Sequence, residues 1–298
     1  MERFIAVDWG TTNRRAWLID RSTGVVAAHA DNRGLMSVTS GGFAVAAEEL
    51  RAKLGDWPLL LAGMVGSDKG WKTVPYAPCP ADVSALANGI YWFPDQTAGI
   101  VPGVCQRGDS ADVMRGEEVQ ALGALALGAI EPDGLTCHPG THTKWLRLRA
   151  ARISEFTTMM TGELFGLLRN SSVLSSQMQD EPAANPSFDE GVDEAMSGAQ
   201  LLSALFRIRA EHVLMQPRLA GASYASGLLI GTDVRTGVAG FNAGETINII
   251  GQRDLSELYA RAIGKAGFTP KIVDDGDAFV AGMQAIVEHI AIFGRAKS

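Results

Sequence analysis

Cysteine is scarce: Cys79, Cys105 and Cys137 are the only three in 298 residues, widely spaced and outside any Cys-x-x-Cys pattern. An odd, scattered set supports neither a disulfide framework nor a structural zinc site, so reduced thiols in the cytoplasm are expected. Long apolar runs are missing too. The longest nearly apolar stretch, Ala121 to Ile130, is too short for a bilayer crossing, which takes about 20 residues. Four apolar residues, Phe4 to Val7, precede Asp8, too few for a signal-peptide core. No block of like charges occurs: 26 Lys and Arg stand against 33 Asp and Glu, a net charge of −7, which argues against a polyanion-binding surface. The Gly-x-x-x-x-Gly-Lys-Ser/Thr loop and a strand-linked Gly-x-Gly-x-x-Gly are both absent, excluding two common kinds of nucleotide site. What is present is an ordinary globular balance, 46% hydrophobic and 20% charged, in a chain long enough for two domains.

Apolar patterning divides the chain. Phe4–Val7 reads as a buried strand ending at Asp8-Trp9-Gly10, followed by strands over 15–19 and 24–30, a helix over 42–54 and a buried strand over 57–64. A loop rich in Gly, Pro and aromatics spans 66–80, with a strand over 100–104 and a helix over 116–130 beyond it. Glu131-Pro132-Asp133-Gly134 is the strongest punctuation near mid-chain. It predicts domains over 1–132 and 133–298. After it the opening pattern returns: Leu135–His138, a Pro139–Thr143 turn, then alternation over Lys144–Arg149. Helices are predicted over 188–208 and 217–230, and a strand–helix–strand–helix unit over 246–250, 255–266, 271–273 and 277–292.

The two turns, Gly10-Thr11-Thr12-Asn13 and Gly140-Thr141-His142-Thr143, lie roughly 130 residues apart between matching strands. Backbone amides beside a glycine approach phosphate oxygens closely, and threonine hydroxyls add donors. Asp8, closing the first strand, suits a water-bound Mg²⁺, and Lys144 adds positive charge. Either turn alone also reads as a plain β-hairpin; the pair favours a polyphosphate.

Ile5-Ala6-Val7-Asp8-Trp9-Gly10-Thr11-Thr12 resembles the first phosphate motif of the actin/hexokinase/Hsp70 superfamily, and Pro139-Gly140-Thr141-His142-Thr143-Lys144 its second. Ile249-Ile250-Gly251 resembles the adenosine motif, and Ala278 to Gly282 the last connecting helix. The resemblance implies an α/β fold of duplicated ribonuclease-H-like (actin-like ATPase) domains, with mixed five-stranded sheets, flanking helices and an ATP cleft between. More narrowly, the 7–13 segment, Gly66-Ser67 with Gly70-Trp71, Met114-Arg115-Gly116-Glu117-Glu118, His138–Trp145 and Met160–Phe165 are similar to the 2-dehydro-3-deoxygalactonokinase family. That resemblance implies ATP-dependent phosphorylation of the 6-hydroxyl of 2-dehydro-3-deoxy-D-galactonate in D-galactonate degradation, with ATP and Mg²⁺ as cofactors.

Sugar kinases of this superfamily carry a carboxylate at a strand-to-helix junction before the second phosphate turn, where it accepts the hydroxyl proton. Gly116-Glu117-Glu118 resembles that junction, with Glu in place of Asp and doubled. Glu117, directly after the glycine, is the expected base and Glu118 the alternative; acids in a first helical turn also serve the dipole alone. For the substrate carboxylate the candidates are Ser67, Lys69 and Arg14, with Arg15 nearby, while Trp71 or Tyr76 would wall the pocket. The same 67–71 segment also reads as an exposed turn anchored by its Trp. Glu163 is a further substrate candidate, and Thr161 reads as a helix N-cap. Gly251 and a Gly231-Thr232-Asp233 turn are expected on the adenosine side. His138 and His142 flank Pro139-Gly140, which forbids the helix that would put them on one face, so zinc is not expected. The expected partners are the sugar acid and ATP, with no nucleic acid and no membrane; a homodimer stays open. Open alternatives are the same chemistry on another sugar acid such as 2-dehydro-3-deoxygluconate, a non-kinase ATPase, or a sugar-sensing protein.

Overall fold

The apolar run Phe4–Val7 demands burial on both faces, and the fold supplies it. β1 (Arg3–Trp9), β2 (Arg14–Asp20) and β3 (Gly24–Asp31) form an antiparallel meander, and β1 pairs on its other edge, in parallel, with β4 (Leu59–Gly63). The computed structural model describes residues 2–39, 41–216 and 218–290. Pro217, which opens one predicted helix, and positions 291 and 292, which end another, lie outside them.

Two compact units divide the chain. The first comprises the described residues up to Asp133, Leu148–Glu155, and those from Asp275 onward. Its main sheet has six strands in the order β3-β2-β1-β4-β7-β6. A small three-stranded sheet, β5-β8-β9, lies beside it in sequence. The remaining strands are β5 (Ala77–Pro78), β6 (Tyr91–Trp92), β7 (Ala98–Ile100), β8 (Val104–Gln106) and β9 (Asp112–Met114). Helix α1 (Phe43–Leu54) lays Leu50 and Ala46 against Ile5, Val7, Leu59 and Leu61, while α2 (Val83–Asn88) is capped by the Asp82 side chain. Helices α3 (Glu117–Ala126) and α9 (Asp275–Glu288) touch backbone to backbone: a Cβ on Gly123 would fall 1.8 Å from the Ala278 carbonyl oxygen.

The second unit comprises Gly134–Arg147 and Phe156–Asp274. Strands β10 (Gly134–His138), β11 (Thr143–Arg149), β12 (Arg152–Met159), β13 (Thr246–Ile250) and β14 (Thr269–Val273) order as β12-β11-β10-β13-β14, with β10, β13 and β14 parallel. That order repeats β3-β2-β1-β4-β7 of the first sheet, the signature of a duplicated ribonuclease-H-like α/β unit. Helices α4 (Thr161–Ser171), α5 (Pro186–Met196), α6 (Leu201–Val213), α7 (Gly221–Gly237) and α8 (Arg253–Lys265) belong to this unit. Phe188, Val234, Ile249 and Tyr259 share one of its cores.

Several expectations need correction. The first sheet has six strands rather than five, because the two-residue β6 adds an edge. The predicted strand over 100–104 is two strands in two sheets; Pro102, lacking an amide donor, and Gly103 stand where the chain leaves one for the other. The helix predicted over 188–208 breaks at Gly198, whose φ of +85° ends α5. Gly231-Thr232-Asp233 is no turn but the middle of α7, where Gly231 lets the helix approach Val192 and Ala195 of α5.

Candidate active site

In the first unit the chemistry collects at the C-terminal ends of parallel β1 and β4, where Asp8 and Trp9 stand in register with Ala62 and Gly63. The Gly10–Asn13 turn is held through its carbonyls. The Gly10 amide donates to Asn13 O at 2.9 Å, while Gly34, Leu35 and Met36 donate to Thr12 O, Gly10 O and Thr11 O at 2.9–3.0 Å. Thr11, Thr12 and Asn13 themselves are exposed, and the turn is braced from behind by residues 34–36.

Asp8 and Asp275, at the first residue of α9, share one cation. Arg15 Nη2 lies 2.7 Å from Asp8 Oδ2 and 2.8 Å from Asp275 Oδ2. Burial pushes the Asp8 carboxyl above its ordinary value, against the opposing pull of Arg15. Among the described residues no group of three or more His, Cys, Asp and Glu could hold a metal by itself. Mg²⁺ in phosphoryl-transfer sites asks for less, one or two carboxylates completed by substrate phosphates and water, and Asp8 with Asp275 matches that hard-oxygen donor set. Arg15 was expected only near the substrate carboxylate, and Asp275 was not in the expected site; only the acid's place at the start of a helix could have flagged it.

Gly116 adopts φ +109°, a conformation that favours glycine, and turns the chain from β9 into α3. The two acids that follow differ sharply. Glu118 is 1% exposed, and both its oxygens accept from the Gly116 amide, at 2.9 and 2.8 Å. Burial, then repulsion from Glu117, pushes its carboxyl up to about 8. Glu117 is only partly buried. Since Glu118 binds its proton more tightly folded than unfolded, its contribution to stability is full at low pH and is lost as pH rises from about 4.5 through about 8. Replacing it with Gln removes that loss. Relative to the wild type, Glu118→Gln is expected to melt about 5 °C higher at pH 8 than the same comparison gives at pH 5, read from thermal melts at both values.

The expected substrate residues fare unequally. Ser67 is 6% exposed and Lys69 is exposed. Trp71 packs on Phe93, ring centroids 4.3 Å apart, and Tyr76 lies under the Arg115 guanidinium. Arg14 is a correction: it is 1% exposed, its Nε and Nη2 bonded to Asp31 and its Nη1 to Ala46 O, 4.9 Å from the Trp9 ring. A guanidinium so fully used holds β2 to β3 and α1.

In the second unit the Gly140–Thr143 turn is anchored from two sides. Glu163, in the first turn of α4, donates its amide to Thr141 O at 2.9 Å, and its carboxylate meets His142 Nε2 at 2.5 Å. Gly162 lets α4 come this close, for a Cβ there would stand 2.4 Å from Gly140 O. Below the turn, buried Asp233 accepts from Trp145 Nε1 and Tyr259 Oη at 2.5 and 2.6 Å and from the Thr161 hydroxyl, while Thr143 Oγ1 lies 2.7 Å from Tyr259 Oη. Thr161 therefore bonds to Asp233 and is the first residue of α4, with Met160 as its N-cap. Lys144 is buried near His138, whose imidazole is pushed down to about 3 by burial first and Lys144 second, so it is neutral at pH 7. Gly251 ends β13 beside Pro139: a Cβ there would be 3.3 Å from the Pro139 Cδ and from Ser256 Oγ.

A repeated sheet with a glycine–threonine turn after the first strand of each copy defines the actin-like class of fold. In keeping with it, the activator of the 2-hydroxyisocaproyl-CoA dehydratase from Clostridium difficile, solved with bound ADPNP, superposes with a TM-score of 0.50 at 13% identity over 99% of this chain and 98% of that one. The family profile of 2-keto-3-deoxy-galactonokinase matches residues 8–286, and the chain belongs to that family. It is 35% identical to the 2-dehydro-3-deoxygalactonokinase of Escherichia coli (strain K12) over 97% of this chain and 99% of that protein. A crystal structure assigned to a 2-dehydro-3-deoxygalactonokinase of Sinorhizobium meliloti matches with a TM-score of 0.88 at 32% identity, covering 96% of this chain and 98% of that one. The chain is thus a phosphotransferase of the kinase type. Among the described residues, no helix is long and apolar enough to cross a membrane.

Proposed function

We propose that this protein transfers the γ-phosphoryl group of ATP to the 6-hydroxyl of 2-dehydro-3-deoxy-D-galactonate, giving 2-dehydro-3-deoxy-6-phospho-D-galactonate and ADP, in D-galactonate breakdown. The observation that carries this reading is the 35% identity to the Escherichia coli 2-dehydro-3-deoxygalactonokinase along 97% of the chain. Cytoplasm is the proposed compartment, since the reaction draws on cellular ATP and the three cysteines are free. The net charge of −7 supports small-molecule partners over nucleic acid.

In this reading the Glu117 carboxylate accepts the proton of the 6-hydroxyl while its oxygen bonds to the γ-phosphorus and the bond to the bridging oxygen of ADP breaks. Glu118, folded onto the Gly116 amide, sets the start of α3 and so aims its neighbour. Amides and hydroxyls of Thr11 and Thr12 bind phosphate oxygens, as do Thr141 and Gly140 of the second turn, and Lys144 adds charge there; Thr143, fully buried against Tyr259, braces that turn from below. Gly251 leaves room for the adenosine. Asp8, with Asp275, would hold Mg²⁺ through water, and the ion's service when bound is to neutralise charge on the β- and γ-phosphates. Arg15, bonded to both acids, must then yield one or both of them.

Incubation with ATP, Mg²⁺ and the acid is expected to release one ADP per acid consumed, with phosphorus coupled to the C6 protons in the product NMR spectrum. ADP release indifferent to the acid, or a phosphoryl group on another oxygen, contradicts the reading.

A further inference from the structure

Arg115 stands one residue before Gly116, and its guanidinium carbon is 3.9 Å from the centre of the Tyr76 ring. One nitrogen, Nη2, donates to the Val74 carbonyl. Nε and Nη1 are buried and have no hydrogen-bond partner, and the same holds for the Ser67 hydroxyl, in a residue 6% exposed. Gly66, preceding Ser67, lets the backbone pack close against the guanidinium: a Cβ there would stand 3.1 Å from Nη1 and 3.1 Å from the Ile100 side chain. Arg14 shows what a structural arginine looks like in this unit, with every nitrogen bonded. Arg115 keeps the three N–H groups of Nε and Nη1 unspent in a buried place, which is costly unless a ligand completes them.

A guanidinium only donates, so the missing partner is an acceptor, and a buried cation calls for an anion. We propose that Arg115, with Ser67, binds the carboxylate of the substrate's 2-keto acid end and thereby sets the preference for sugar acids over neutral sugars. This rests on the substrate class proposed above and names the group that reads it. Arg115 lies on the same β9–α3 junction as Glu117, so one short segment serves both ends of the acid: the guanidinium its carboxylate, the glutamate its terminal hydroxyl. Tyr76, stacked on the guanidinium, holds it in place. Lys69, the sequence-based candidate for this task, is exposed and belongs to the loop beyond Ser67.

The test compares initial rates on 2-dehydro-3-deoxy-D-galactonate and on its methyl ester, which keeps the carbon skeleton and loses the charge. The wild type is expected to prefer the acid strongly. Arg115→Met is expected to raise KM for the acid about 100-fold, with kcat lowered less than about fivefold and KM for ATP within about twofold, and to lose most of the preference over the ester. Arg115→Lys is expected to recover part of it, because it restores charge without the planar fork. Should the Met variant not fold, Arg115→Lys and Ser67→Ala, the latter expected to raise KM for the acid about tenfold, carry the test. A preference for acid over ester that survives in these variants, or KM values for acid and ATP that rise together, overturns the assignment while the kinase reading stands. A wild type that turns over neither the acid nor its epimers overturns both.

Discussion

Glu117→Gln is expected to lower kcat about 1,000-fold while leaving KM for the acid and for ATP within a few-fold, because a positioned base contributes about 10²–10⁴ and an amide of the same shape cannot take the proton. Glu118→Gln is expected to keep kcat within about tenfold of the wild type. The asymmetry follows from local structure. Both Glu118 oxygens are bound to the amide of Gly116, and its carboxyl, pushed up to about 8, already holds a proton at neutral pH. Glu117 opens the same helical turn with its side chain only partly buried. Steady-state kinetics of the two variants decide the assignment: near-normal turnover in Glu117→Gln with a dead Glu118→Gln would exchange the roles.

Gly123→Val is expected to cost the protein its native state, or at least more than about 10 °C of melting temperature, since overpacking against rigid atoms cannot be relieved by a rotamer change. At this crossing the obstacles are backbone. A Cβ on Gly123 would meet the Ala278 carbonyl oxygen at 1.8 Å and the Gly282 nitrogen at 2.4 Å, and one on Gly282 would meet the Val119 carbonyl oxygen at 2.1 Å. Relief requires α3 and α9 to part, exposing Val119, Leu122, Phe279 and Ile286, all now buried. It would also displace the two helix starts that carry Glu117 and Asp275. Gly264→Ala in α8, where nothing lies within 4 Å of the added carbon, is the control and should melt at or above the wild type. A Gly123→Val variant melting within about 2 °C of the wild type would show the crossing to be soft.

The strands that position the site were legible where burial is two-sided. Phe4–Val7 announces itself as an apolar run, Leu135–His138 returns the pattern after the mid-chain punctuation, and a glycine–threonine turn follows each. Small edge elements were not: β6 and β9 are two and three residues long, below the reach of any periodicity. Gly231-Thr232-Asp233 misled because the glycine's purpose, close helix packing against α5, depends on a partner distant in sequence. Arg14 misled for the same reason, its partners Asp31 and Ala46 lying 17 and 32 residues away. Asp233, expected in a turn on the adenosine side, has a different task. A lone acid in a helix of small residues gives no hint that it gathers Trp145, Thr161 and Tyr259 beneath the second turn. Arg115 sat inside the Met114–Glu118 motif without a role, since the unbonded Nε and Nη1 are visible only once their surroundings are folded.

The most direct measurement is kcat/KM for ADP formation with ATP and Mg²⁺ across four acceptors: the galactonate-derived 2-keto-3-deoxy acid, its gluconate epimer, and a neutral sugar corresponding to each. Turnover is expected with the galactonate derivative at a kcat/KM at least about 100-fold above both neutral sugars, with the epimer below it. Equal rates with all four, or ADP release unchanged when no acceptor is added, would contradict a sugar-acid kinase.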